Sequence, residues 1–331
     1  MPNLEQYVDF NPEKETPSLA GRVLFVTGGT AGLGRATVIS LARHSPAHIY
    51  FTGRNASAAA DLLAEIKQID PAVGTTFLKM DMNSLADVKK ACVDGFRHSR
   101  LDLVVCNAGV MYIPVGLSAD GFENHFAINH LAHAMILRVL MPVLARTATD
   151  PKLDNVDVRV VSLSSDAWRI HPKDGITFST IRTEQKSWVG GAYRYGQSKL
   201  ANLVYASALS HHVPASSANH NKPNSKTKGI KFLSVHPGAV TTGLTTTKLS
   251  TLDRAAIKAY TLYARITMMD ESQGRLSQLW VAAGAPRDEL VDGGYYMPVG
   301  RLSQDRLDEM AKSEELRDEL WRFTEEVLDG F

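Results

Sequence analysis

Apolar residues in this chain gather into short unbroken runs, and between the runs they recur every three or four positions. The runs Arg22–Thr27, His48–Thr52, Thr75–Met80, Leu101–Cys106, Val156–Leu163 and Ile230–Val235 have the length and continuity of strands buried on both faces. The stretches Arg35–Arg43, Ala56–Ile69, Ser84–Phe96, Asp120–Arg146 and Tyr193–Leu209 read as helices. In the longest of them Phe122, Phe126, His133, Leu137 and Leu144 fall at roughly helical spacing, and Pro71 closes the second. Strands alternating with helices predict βαβ units, a parallel sheet and right-handed crossovers that place helices on both faces. The expectation is one doubly wound α/β domain over residues 21–300, preceded by an N-terminal extension (1–20). Two inserts, 166–192 and 243–268, interrupt it, and a C-terminal helix within 301–331 packs on the body.

Composition narrows the function classes. The 331 residues are 44% hydrophobic and carry 36 basic against 35 acidic side chains, a net charge of +1. That balance gives no global drive toward nucleic acid or anionic lipid. Two cysteines, Cys92 and Cys106, lie in apolar segments and suit reduced thiols, so a cytoplasmic location is expected. Met1–Ser18 lacks the apolar core of a signal peptide, and no run of eighteen apolar residues suggests a membrane span. Pro214–Gly229 has the composition of a solvated loop. In the acidic stretch Asp305–Asp329, Leu316, Leu320, Phe323 and Val327 make one apolar stripe, read either as a helix docked on its own core or as a partner-binding helix.

The candidate chemistry starts after the first strand, where Thr27 leads into Gly28-Gly-Thr30-Ala-Gly32-Leu33-Gly34. Glycines there permit a tight turn and let backbone approach a pyrophosphate at a helix N-terminus. Their spacing resembles the TGxxxGxG signature of the short-chain dehydrogenase/reductase family, with its Rossmann-type sheet. Cys106-Asn107-Ala108-Gly109 resembles that family's NNAG element. Asn129, the Ser164-Ser165 turn, the Tyr195-Gly-Gln-Ser-Lys199 match to YxxxK, and Pro237-Gly238 with Thr242 follow in family order. The wording from Tyr195 to Asn202 is most similar to the retinol-dehydrogenase-like branch.

Cofactor choice turns on the end of the second strand. An acid there would bond ribose hydroxyls and repel a 2′-phosphate. The chain has Gly53 and Arg54 instead, and a guanidinium offers a planar fork to a phosphate, so NADP(H) is expected. Arg35 is open between assisting and facing water. The resemblance assigns Asp81 and Met82 to the adenine rim, although Asp81 is also a candidate N-cap, competing with Ser84. It assigns Thr30, Leu33, Asn107, Ala108, Gly109, Pro237, Gly238, Val240 and Thr242 to the rest of the dinucleotide site.

Hydride transfer to a carbonyl builds negative charge on oxygen, which a proton must meet. Tyr195 is the candidate donor, and Lys199, four residues on, shares its helix face. A free phenol titrates near ~10, and an adjacent ammonium lowers that value. The resemblance places the catalytic serine second in the pair, which makes Ser165 the expected carbonyl polariser, and alternation turns Ser164 the other way. The resemblance gives Lys199 a contact to the nicotinamide ribose and Asn129 a water linking Lys199 to solvent; a buried structural amide is the alternative for Asn129. His125, His130 and His133 suggest no metal site, lacking carboxylate or thiolate at matching positions. Trp168, Ile170, His171, Phe178, Ile181 and Trp188 in the first insert either cover the substrate or pack inward. Met111, Tyr112 and Ile113 would complete the wall. The expected substrate is a small lipophilic or aromatic aldehyde, ketone or alcohol. Reduction of a conjugated C=C bond and a silent NADP(H)-binding sensor are the alternatives. The family resemblance allows a homodimer through the helices bearing Asn129 and Tyr195, a surface that the acidic tail or the Lys-rich loop within 214–229 could block.

Overall fold

The computed structural model describes residues 8–153, 156–186, 190–213, 229–238 and 271–331. Among the described residues eight strands form one sheet: β1 (Val23–Val26), β2 (His48–Gly53), β3 (Gly74–Lys79), β4 (Leu103–Cys106), β5 (Val158–Leu163), β6 (Ile230–Val235), β7 (Tyr295–Met297) and β8 (Arg301–Leu302). Their order is β3-β2-β1-β4-β5-β6-β7-β8, and every pairing is parallel except that of β7 with β8. All six expected strands form, within two residues of the expected ends. The two short last strands carried no periodic signal long enough to read.

Among the described residues the longer helices are α1 (Gly32–Ala42), α2 (Ala56–Ile69), α3 (Leu85–Gly95), α4 (Asn124–Thr149), α5 (Gly190–His212), α6 (Glu271–Leu279) and α7 (Glu314–Asp329). Ser84 caps α3 through the Asp87 N–H, which removes Asp81 from that role. The sheet explains why its strands read as continuous apolar runs. Val23, Phe25, Tyr50, Val104, Val160 and Phe232 enter one core layer, with α3, α4, α5 and α7. Leu24, Val26, Phe51, Val105, Val161 and Leu233 enter the other, with α1, α2 and α6. Alternate residues of each strand thus meet different helices, and neither face is left to water. The N-terminal extension is part of this body: Phe10 and Leu19 are buried in the second layer.

The acidic tail breaks at Ser313, which caps α7. Its stripe faces the chain's own core: Leu316, Leu320 and Val327 are buried, Trp321 stacks on Tyr205, and Phe323 meets Phe126 and Phe178. Arg138 of α4 pairs with Glu325 and Asp329. The face of α4 and α5 expected to receive a second copy is therefore occupied by α7 of the same chain. Helix α4 is long and apolar enough to cross a membrane, and 67% of its most apolar window is buried within the fold.

Candidate active site

The strand order reverses between β1 and β4, so the loops leaving these strands diverge and open a crevice at the carboxyl edge of the sheet. The glycine loop fills one side. Gly28 sits at φ +66°, and a Cβ on Gly34 would lie 2.3 Å from the Gly28 carbonyl oxygen. Helix α1 starts at Gly32, three residues before the expected start, so Gly32 and Gly34 belong to its first turn. Its N-cap, Ala31, makes no side-chain cap bond, leaving that helix end for an acceptor from outside the chain. The Asn107 amide donates to the Thr27 carbonyl at 2.9 Å and ties the two loops together. This is a cradle that fits a dinucleotide pyrophosphate.

A cleft of about 370 Å³ runs from this loop to the catalytic helix. Gly28, Thr30, Gly32, Leu33, Gly34, Arg54, Asp81, Met82, Asn107, Ala108, Gly109, Tyr195, Lys199 and Pro237 all line it. Arg54 is exposed at its rim. Arg35 instead pairs with Glu65 of α2. The Asp81 carboxylate accepts the Asn83 N–H at 3.0 Å and borders the cleft. Gly238, at φ +98°, follows the cleft-lining Pro237, whereas Val240, Thr242, Trp188 and the insert 243–268 lie outside the described residues. A larger open groove of about 600 Å³ lies along the first insert; none of the described residues lining it lines the cleft.

Helix α5 presents Tyr195 and Lys199 on one face, as the four-residue spacing requires. Lys199 is buried. Its Nζ donates to the Leu163 carbonyl at 2.9 Å and lies 5.8 Å from the Tyr195 ring centroid. Burial lowers the Lys199 amine from 10.5 to about 8, so it remains mostly cationic at neutral pH beside a phenol. The two serines divide as alternation predicts. Ser164 donates to the Lys199 carbonyl at 2.7 Å, clamping the helix to β5. Ser165 stays half-buried in extended backbone, and its hydroxyl accepts the Ala167 N–H at 3.2 Å. Ser165 is not itself among the cleft-lining residues, though Leu163 and Ser164 are.

Asn129 lies in a π-helical turn of α4, Ala127–Leu131. Its side chain is fully engaged: Oδ1 accepts from Val110 N at 2.8 Å, and Nδ2 donates to Val110 O at 3.0 Å and Ser198 Oγ at 2.9 Å. Ser198 in turn donates to the Tyr195 carbonyl at 2.7 Å. The Asn129 carbonyl lies 2.8 Å from His133 Nδ1. His133 Nε2 lies 2.9 Å from Thr27 Oγ1. Burial holds His133 near 4, hence neutral, so one nitrogen donates and the other accepts. A proton on Nδ1 satisfies both bonds.

Three of these groups escaped the sequence reading. His133 carried only a spacing signal, Ser198 sat inside the YxxxK match without a role, and Gly196 looked incidental. A Cβ on Gly196 would lie 1.8 Å from the Ile170 carbonyl oxygen and 2.9 Å from that of Ala167. The turn after Ser165 rests on that bare helix face. Of the two readings of the aromatic insert, inward packing holds for Trp168, Ile181 and Phe178. Trp168 and Ile181 are fully buried, Trp168 donates to Tyr295 Oη at 3.2 Å, and Phe178 packs on Phe323. These residues pack inward: Trp168 sits against β7 and Phe178 against the tail helix α7, neighbours that the sequence order hides. The three histidines of α4 are each engaged with a side chain or carbonyl: His125 with Glu123, His130 with Thr324, His133 with Asn129 and Thr27.

Comparison with known proteins agrees with this geometry. Residues 22–173 match the family model described as short chain dehydrogenase. The chain is 33% identical to the short-chain dehydrogenase/reductase drtF of Aspergillus calidoustus, over 94% of this chain and 95% of that protein. It is 28% identical to mouse retinol dehydrogenase 12, over 94% and 87% respectively. Among solved structures, one from Mycobacterium paratuberculosis superposes with a TM-score of 0.67 at 23% identity, covering 96% of this chain and 97% of that one. The NADPH-bound carbonyl reductase from chicken fatty liver gives a TM-score of 0.60 at 18% identity, covering 88% and 97%.

Proposed function

This chain belongs to the short-chain dehydrogenase/reductase family, in its retinol-dehydrogenase-like branch, and we propose that it is an NADPH-dependent reductase of lipophilic or aromatic aldehydes and ketones. Membership makes it an oxidoreductase acting on CH–OH or C=O groups of small molecules. The observation that carries the finer reading is a single cleft. At one end stand the glycine loop and Arg54, and at the other Tyr195 with the buried Lys199 amine.

The bound nicotinamide supplies a hydride to the carbonyl carbon. The Gly28–Gly34 loop and the uncapped end of α1 hold the pyrophosphate. Arg54 takes the 2′-phosphate, with no acid at Gly53 to repel it. Asp81 and Met82 border the adenine, and Asn107, Ala108, Gly109, Pro237 and Gly238 enclose the nicotinamide end. Ser165 orients the substrate carbonyl. Tyr195 delivers its phenolic proton to the oxygen as charge builds there, and the Lys199 ammonium stabilises the phenolate left behind. Asn129 holds the 110 loop and, through Ser198, the turn of α5 that carries Tyr195.

Burial pushes the Cys92 and Cys106 thiols up to about 12, which suits inert reduced cysteines, and we place the protein in the cytoplasm. The test is NADPH consumption by purified protein against aldehydes, ketones and conjugated alkenes, with Tyr195→Phe alongside. The expected result is carbonyl-dependent oxidation that falls by orders of magnitude in the variant while dinucleotide still binds. Turnover of alkenes alone, or binding without turnover, overturns the assignment.

A further inference from the structure

We propose that Tyr112 selects the substrate of this site: its ring offers a fixed flat wall beside Tyr195 and favours aromatic or conjugated carbonyl compounds over saturated ones. The proposal rests on the reading of the cleft as a carbonyl reductase and narrows its substrate class.

Tyr112 is the second residue after Val110, in the loop that leaves β4. Its ring lies nearly parallel to that of Tyr195, with an interplanar angle of 27° and centroids 6.5 Å apart. Its backbone is left-handed, at φ +50°. Side chains other than Asn and Asp seldom adopt that region, and a bulky residue persists there only where its surroundings impose it. They do so on both sides. Val110 is pinned through its N–H and its carbonyl to the Asn129 side chain, at 2.8 and 3.0 Å. Ile113 N–H points to His125 Nε2 at 3.4 Å, and His125 Nδ1 is fixed by the buried Glu123 carboxylate at 2.8 Å. The loop is thus tied at each end to buried side chains of α4 and its approach, and the aromatic ring is what this arrangement presents to Tyr195.

A substrate that takes a proton from Tyr195 must place its carbonyl oxygen within hydrogen-bond reach of the phenol. The group bonded to that carbonyl then lies close to the Tyr112 ring. An aromatic or conjugated group can stack on it, worth one aromatic pair beyond the buried area, whereas a saturated chain gains the area alone. Because the ring is already held, little freedom is lost when the stack forms.

The experiment compares NADPH consumption with cinnamaldehyde and benzaldehyde against hexanal, for the wild-type chain, Tyr112→Phe and Tyr112→Gly. Glycine adopts the left-handed backbone without strain, so this variant keeps the loop path while deleting the ring. Thermal melting checks that it is folded. The expected result is that Tyr112→Phe retains the aromatic preference, whereas Tyr112→Gly loses about 3- to 10-fold in the ratio of kcat/KM for aromatic over aliphatic aldehyde, mostly through KM. Hexanal kcat/KM should fall less than that of the aromatic aldehydes, because it loses buried area alone. An unchanged ratio in folded Tyr112→Gly overturns the role of Tyr112 and leaves the reductase reading standing. An equal fall for all substrates also overturns it, because the ring then merely supports Tyr195. No carbonyl-dependent turnover by the wild type overturns both.

Discussion

The cofactor assignment can be tested at a position where geometry makes an unusual demand. Removing Arg54 deletes the charge-assisted bonds offered to a 2′-phosphate, worth about 1.5–3 kcal/mol or roughly 10- to 150-fold in affinity. Adding an acid at Gly53 should complete a switch to NADH by bonding the ribose hydroxyls. The structure resists that step. A Cβ at position 53 would lie 2.6 Å from Thr30 Oγ1 and 2.7 Å from Thr30 Cγ2. Both γ atoms crowd the same spot, so turning the β-branched side chain about χ1 exchanges one clash for another. Overpacking of this kind costs about 1–3 kcal/mol, and it falls on the loop that must hold either dinucleotide. With Thr30 cut back to alanine the nearest remaining atom is its Cβ, at 3.2 Å, which a small shift can absorb. Arg54→Ala alone should therefore lower the NADPH-over-NADH ratio of kcat/KM by about 10-fold or more. Gly53→Asp with Arg54→Ala should reverse the preference but work poorly with both. Adding Thr30→Ala should restore NADH-dependent kcat/KM by at least about 5-fold. Steady-state kinetics with both cofactors read all three. If Arg54→Ala leaves the ratio unchanged, the guanidinium does not meet the phosphate; if Thr30→Ala restores nothing, the steric argument fails.

Three further outcomes follow from the same geometry. Lys199 is a buried amine whose value is lowered from 10.5 to about 8, so the unfolded chain holds its proton more tightly and the penalty of burying the charge is full below about pH 8. Lys199→Met should abolish turnover yet raise the apo-protein's melting temperature at pH 7, and that gain should shrink as pH rises from 8 toward 10.5; a less stable variant at pH 7 refutes it. Gly196→Ala drives a methyl into the Ile170 and Ala167 carbonyls, and should cost about 1–3 kcal/mol in chemical denaturation and about 100-fold in kcat by moving the turn after Ser165. Wild-type kinetics in that variant would show that the turn is not part of the site. His133→Leu removes both bonds that join Asn129 to Thr27 and should weaken NADPH binding and lower kcat together; a double cycle with Thr27→Val should be non-additive, and simple additivity would mean the two residues act apart.

How much was legible beforehand differs from residue to residue. The first six strands and their helices were readable because the strands inside the sheet are apolar on both faces and each helix repeats every three or four positions. Tyr195, Lys199 and Arg54 could be placed at one cleft from local spacing, four residues on a helix or one position past a strand. Asn129 was placed in the long helix, and its side-chain contacts fit the buried structural amide that was one of its two readings. A π-helical turn and a partner on the 110 loop engage its amide, and neither leaves a trace in composition.

Residue order by itself determined the alternation, the glycine cradle and the phenol–amine pair, since all three are set by contacts within a few residues. Tertiary structure alone decided that α7 covers the long helices and that Trp168 and Phe178 face inward. It also decided that His133 spans two loops. Each of these depends on groups scores of residues apart meeting across the sheet, and burial then fixes whether a side chain serves the core or the site.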